Sequence, residues 1–220
     1  VCGKGPETAN LQDLLIHVLR GISVYGEKAA ELGILDKNTG LFVCKNLFVT
    51  ITNANFDDAR ITALITESLQ VRDALKAGDA VLPDAATWTP ASTSDYAAKA
   101  ETVGVLATEN EDVRSLRELL IYGLKGVAAY GEHAAALGSE DPTIYESVIH
   151  ALATTTRDLS VDEMVGEVLK CGEVAVTTMA LLDTANTTAY GNPELTEVNI
   201  GTRGNPAILI SGHDMKDMEE

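Results

Sequence analysis

Positive charge is scarce in this chain: 16 Lys and Arg stand against 33 Asp and Glu, a net charge of −17. That balance argues against nucleic acid, whose phosphates need basic side chains, and equally against an anionic membrane surface. No apolar run approaches the roughly 18 residues of a membrane-spanning helix. The opening residues have no signal-peptide pattern, so none is expected. The three cysteines are odd in number and far apart, so they make no disulfide framework, and a reducing cytoplasm is the expected compartment. Aromatic residues are only 5% of a composition that is 45% hydrophobic, which suits a helical core of Ala, Leu and Val. There is no G-x-x-x-x-G-K-S/T loop, no H-E-x-x-H and no G-x-S-x-G. Gly201-x-x-Gly204 precedes the apolar run that follows it, the wrong side for cradling a phosphate.

What the chain does contain is a repeat. LQDLLIHVLRGISVYGEKAAELG at Leu11–Gly33 returns as LRELLIYGLKGVAAYGEHAAALG at Leu116–Gly138. Leu14/Leu119, Gly21/Gly126, Tyr25/Tyr130, Gly26/Gly131 and Glu27/Glu132 are identical, and Asp13/Glu118 and Arg20/Lys125 keep their charge. Two copies of one unit are expected. In each copy apolar residues recur at spacings of three and four, the stripe of a long amphipathic helix. Each internal glycine costs a helix about 1 kcal/mol relative to alanine, so a neighbouring segment is expected to press against both pairs of glycines.

The rest of each half follows the same plan. After the first helix, a second spans roughly Gly40–Thr52, and a third runs to about Lys76 with Asn55 as N-cap. Residues Gly78–Asp95 form a connector, with Trp88 pinning it to the bundle and a short helix near Tyr96–Glu101. The second half restarts at a Thr108-x-x-Glu111 capping box, continues from Asp141-Pro142, and opens its third helix with a Ser160-x-x-Glu163 capping box. The expectation is a mainly α chain of two three-helix bundles from an internal duplication, with halves at about 8–78 and 108–185 inside a domain spanning 1–203. Ala207–Ile210 is an apolar run of the buried-strand type, followed by a turn and a helix capped by Asp214, so 204–220 is expected to start an α/β domain.

Few residues suggest chemistry. His213 lies just past the carboxyl end of the expected strand, where open α/β folds place ligands; a surface-turn histidine is the alternative. Cys44 and Cys171 fall on apolar stripes and are expected to be small buried hydrophobes. Cys2 sits in a glycine-rich turn suited to wrapping a metal cluster, but one thiolate cannot hold one. His133 is expected on a solvated face, His17 on an amphipathic one, and His150 without a partner.

Six stretches together resemble the hybrid cluster protein (prismane) family of iron–sulfur hydroxylamine reductases: VCGKGPETANLQDLL, TITNANFDDAR, GVLATENEDVRSLRELLI, DLSVDEM, TTMALLDTANTTAYGNPE and ILISGHDMKDMEE. The resemblance implies a 4Fe–4S cubane, of whose four cysteines the last matches Cys2. It also implies a hybrid iron–sulfur–oxygen cluster, whose histidine ligand matches His213. The other ligands would precede Val1 or follow Glu220. The implied reaction is reduction of hydroxylamine to ammonia and water, or of nitric oxide, with electrons entering through the cubane. The loop Thr187–Thr202 is expected to close over the hybrid cluster, with Tyr190 and Asn192 lining it. The implied partners are a small nitrogen oxide or hydroxylamine, an electron-donor protein, the remainder of the polypeptide, and a second copy in a homodimer. Read without the resemblance, Leu11 to Leu182 is explained by packing, which favours a non-catalytic scaffold or dimerisation module. A relative of carbon monoxide dehydrogenase is a third reading.

Overall fold

A computed structural model describes residues 3–51, 55–76, 82–210 and 215–216. Among these described residues eight α-helices follow in order: α1 (Pro6–Glu31), α2 (Lys37–Val49), α3 (Asp58–Ala74), α4 (Asp84–Thr87), α5 (Asp95–Val103), α6 (Glu111–Ala136), α7 (Pro142–Thr154) and α8 (Val161–Tyr190). A 3₁₀ turn, Val105–Ala107, leads into α6. The chain is mainly α, and among the described residues none is in a strand. None of its described helices is long and apolar enough to cross a membrane.

Local chemistry sets most boundaries. The Ser160 hydroxyl accepts from the Glu163 N–H while Glu163 returns a bond to the Ser160 N–H, the capping box expected there. Asp141 caps α7, with Pro142 as its first residue. Three starts differ from expectation. Asp36 caps α2, which therefore begins before Gly40. Asp57 caps α3, and Asn55 instead accepts the Asp57 N–H. Asn110 caps α6 by accepting from the Asp112 and Val113 N–H groups. Thr108 is left outside that helix and accepts from Arg117 instead. The short α4, in a stretch expected to be loop, is additional.

The two long repeated helices end alike. Gly33 and Gly138 take φ of +67° and +80°, and the next residue's N–H reaches back to Ala29 and Ala134 respectively. This is the Schellman arrangement, which needs a residue tolerant of the left-handed region. α1 and α6 are 26 residues each, and α2 and α7 are 13 each.

The helices of the two halves share one core. α1 packs on α3 and on α7, and α6 on α8 and on α2. Leu14, Leu15, Ile22, Val43, Ile65, Leu124, Ile149 and Leu152 belong to a single buried cluster drawn from both halves. A three-helix unit still has an apolar face to cover, and the other half's helices cover it.

The connector docks against α1 at Gly21. Arg72 of α3 is fully buried beneath it, donating to the Ala85 carbonyl at 3.3 Å and the Trp88 carbonyl at 2.7 Å, and pairing with Asp73. Tyr25 donates to the Ala86 carbonyl. Neighbours press on Gly21 and Gly26 as expected; at Gly126 there is only open space.

At the other end, α8 runs to Tyr190, beyond the expected end near 185, until Gly191 at φ +85° stops it. Residues 191–210 are irregular and exposed. Ala207–Ile210 is not a strand here, with Leu209 95% exposed. A strand needs a hydrogen-bonded neighbour, and none of the described residues offers one. His213 and Asp214 lie outside the described residues.

Candidate functional site

Both expected cluster ligands, Cys2 and His213, lie outside the described residues. Tyr190 is the last residue of α8, half-buried, and Asn192 is exposed two residues on. The expected loop Thr187–Thr202 therefore begins as helix.

No described residues form an iron–sulfur site. Among them no group of three or more His, Cys, Asp or Glu could hold a metal ion. Cys44 is fully buried in α2 and burial pushes its thiol up to about 12; burial also raises Cys171. Iron binds the thiolate, and burial works against ionising either of these sulfurs. They are core residues, as expected from their place on the stripes.

Polar side chains do converge between α1, α5 and α6. A cavity of about 230 Å³ is lined by His17, Arg20, Asp84, Lys99, Arg117 and Glu118, with the backbone around Gly104 as one wall. Asp84 lies 3.0 Å from His17 Nε2 and accepts from Lys99 Nζ at 2.6 Å. Burial opposes its charge, but Lys99 and His17 outweigh this and hold the carboxyl below its usual value. Burial drives His17 down to about 4 against the pull of Asp84, so the imidazole is neutral at pH 7.

Beside the cavity stand two pairs at equivalent repeat positions, Asp13 and Arg20 on α1 with Glu118 and Lys125 on α6. Burial, reinforced by Glu118, raises Asp13 to about 6, although Lys125 and Arg20 favour its charge. Burial lowers Arg20 to about 10 and also lowers Lys125. In folded chains Asp13 keeps its proton to higher pH than in unfolded ones. Its stabilising contribution is complete below about pH 4 and is lost as pH rises through 6. Asp13→Asn is therefore expected to raise stability by on the order of 2 kcal/mol at pH 7.5, the gain shrinking as pH falls toward 4. Urea midpoints of both proteins across that range measure it; a gain independent of pH would refute the assignment.

A second cluster bridges α1, α7 and α8. His150 Nδ1 is 2.7 Å from Glu27 Oε1, its Nε2 is 3.7 Å from Glu167 Oε1, and Arg157 pairs with Glu27. His150 thus has partners where the sequence suggested none. His133 is half-buried, edge-on to Phe48 at 5.3 Å, and not on a solvated face. His17 is buried. The signals available for these clusters were Glu27, repeated as Glu132, and the charge-preserving exchanges at Asp13/Glu118 and Arg20/Lys125.

Comparison with known proteins covers the whole chain. The profile of the Prismane/CO dehydrogenase family matches residues 1–220. Hydroxylamine reductase of Nitratidesulfovibrio vulgaris is 62% identical over all of this chain and 42% of its own length. Those of Desulfitobacterium hafniense and Halothermothrix orenii are 58% and 55% identical, again over the full chain and 42% of theirs. The chain spans less than half the length of these relatives.

Proposed function

Because this chain belongs to the Prismane/CO dehydrogenase family, we propose that it forms the amino-terminal portion of an iron–sulfur reductase acting on hydroxylamine. The observation that carries this reading is the similarity of all 220 residues to hydroxylamine reductases. The reaction balances as NH₂OH + 2 H⁺ + 2 e⁻ → NH₃ + H₂O, with the N–O bond broken and both electrons from an external donor. Nitric oxide is the second substrate of this reading. The clusters supply the redox chemistry. From these residues come one cubane ligand, Cys2, and one hybrid-cluster ligand, His213, with Tyr190 and Asn192 lining the latter's pocket. The remaining ligands come from outside residues 1–220.

In this reading residues 1–203 are a scaffold built by duplication, and 204–220 open an α/β domain. The exposed run Ala207–Ile210 becomes a strand when its neighbours are present. The structural support is an apolar tetrapeptide held in solvent, with Leu209 95% exposed.

The test uses the complete polypeptide prepared without oxygen. Several irons and acid-labile sulfides per chain are expected, with hydroxylamine-dependent oxidation of a reduced low-potential dye yielding one ammonia per two electrons. His213→Ala is expected to cut that rate by at least about a hundredfold, in line with loss of a group at the reacting centre. Iron-free protein that folds normally, or full activity in the His213 variant, would reject the proposal. Carbon monoxide oxidation in place of hydroxylamine reduction would move the protein to the other branch of its family.

A further inference from the structure

The repeat is closed in one half and open in the other. In the first half the connector lies across the seam between α1 and α3. Ala85 sits on Gly21, Tyr25 donates to the Ala86 carbonyl, and the Tyr96 and Thr66 hydroxyls meet at 2.9 Å. Leu14, His17, Gly21 and Tyr25 of α1 are buried there. Their repeat counterparts on α6 are Leu119, Tyr122, Gly126 and Tyr130. Among the described residues no element buries these four: Leu119 is 54% exposed, Tyr130 is 44% exposed, and a Cβ at Gly126 would meet open space.

The second bank of this open seam is α8. Gly123 lies within the α6 stripe, between Leu119 and Gly126, and its Cβ position is 2.9 Å from Cys171 Sγ, which puts the stripe beside α8. Gly131 faces Thr178 in the same way, so the two helices run in the same direction. α7 approaches α8 from one side, where His150 reaches toward Glu167. Val165, Leu169, Val176 and Met179 recur at helical spacing on the opposite side. All four are exposed, Leu169 by 67%. Scattered apolar side chains on a surface are ordinary, but two adjoining stripes along a helix pair mark an interaction site.

Taking as given the proposed place of these residues in a longer polypeptide, we infer that the α6–α8 seam docks the part of that same polypeptide beyond Glu220. The occupant is an apolar segment that passes Gly126 and offers a main-chain carbonyl to the Tyr130 hydroxyl, as Ala86 does to Tyr25. Three observations select it over a second copy. The first seam is closed by the chain that follows its own third helix, so the same topology assigns the second seam to chain that follows α8. Residues 191–210 begin that chain but stay exposed, so the cover comes from further on. The 220 residues span 42% of the hydroxylamine reductase of Nitratidesulfovibrio vulgaris, so a polypeptide of that length has more than half its residues left to supply it. Two copies meeting at this face would instead bring together two bodies of charge −17. α8 contains no arginine, so the Arg72 clamp has no counterpart and the apolar bank of α8 takes its place.

Hydroxyl-radical footprinting of the complete polypeptide tests this, with the same protein unfolded in urea as the reference. Tyr122, Tyr130, Leu169 and Met179 are expected to be protected at least about fivefold, as at the water-excluding centre of an interface, and equally at all protein concentrations. Leu119→Glu combined with Leu169→Glu is expected to abolish the protection at Tyr130 and Met179 while circular dichroism stays helical, since both side chains are exposed in residues 1–220. Weaker protection in the wild type, or protection that fades on dilution as a dimer dissociates, would overturn the inference whether or not the double variant folds. Iron content and hydroxylamine turnover test the functional reading separately. A protected seam in iron-free protein upholds the docking, and an active enzyme with an open seam rejects the docking alone.

Discussion

Gly21→Ala is expected to destabilise the chain by about 3 kcal/mol or more, the upper range for overpacking. A Cβ placed there lies 2.0 Å from the Ala85 carbonyl oxygen and 3.1 Å from Arg72 Cδ. The obstacle is backbone, which cannot swing aside as a side-chain tip can. Relief requires the connector to lift off α1, and that breaks the contacts Arg72 and Tyr25 make with it. The matched control is Gly126→Ala, the same position of the repeat in α6, where a Cβ meets nothing within 4 Å. There only the helix-propensity term acts, so a gain of up to about 1 kcal/mol is expected. Urea titrations of the two variants should move the midpoint in opposite directions. A shift of the same sign in both would show that α4 does not seat against Gly21 as described.

Arg72→Met is expected to cost about 3–5 kcal/mol, the range for removing one partner from a buried charged network. Arg72 has 0% exposure, yet every nitrogen of its guanidinium is engaged. Methionine fills much of the volume but leaves the Ala85 and Trp88 carbonyls without their donor, and it removes an ion pair to a half-exposed Asp73. Tryptophan fluorescence provides a second reading. Trp88 is the only tryptophan, packed on the core and on Tyr96, with Lys99 over its ring. Release of the connector should shift its emission to the red before global unfolding. Wild-type emission and an unchanged midpoint in Arg72→Met would mean that the guanidinium does not clamp this segment.

These contacts mark where a sequence stops being readable. Helix starts that depend on neighbours in the chain were legible: Ser160 with Glu163, and Asp141 with Pro142. Thr108 matched the same local pattern as Ser160, but Asn110, two residues on, also offers a capping oxygen and wins. The apolar stripes of α1 and α6 were legible from their period. Their partners were not, because a stripe says that a face is buried and not by what. Arg72 has the sequence profile of a solvated helix residue; only the approach of Ala85 and Trp88 makes it a core residue. Likewise the exchanges Asp13/Glu118 and Arg20/Lys125 show charge retained within a repeat, yet nothing in a linear pattern says that the two pairs meet beside a cavity. Ala207–Ile210 has strand composition, and composition cannot supply the partner that makes a strand. Cys2 and His213 rest on family resemblance, since one ligand apiece leaves no spacing pattern to read.

The crossed pairing of halves has a consequence on the ribosome. α1 receives Ile149 of α7 against Gly26, and Gly40 of α2 lies under the Tyr145 ring. Neither contact can form until α7 has been synthesised. At about 5–20 residues per second, the stretch from Ala74 to Pro142 takes on the order of 3–14 s to make. Throughout that interval the nascent α1–α3 unit carries uncovered apolar surface, far longer than the microseconds a helix needs to form. Apolar surface left waiting in mid-synthesis is prone to aggregation, and the 33 acidic residues that set the net charge also supply the repulsion that keeps waiting chains apart.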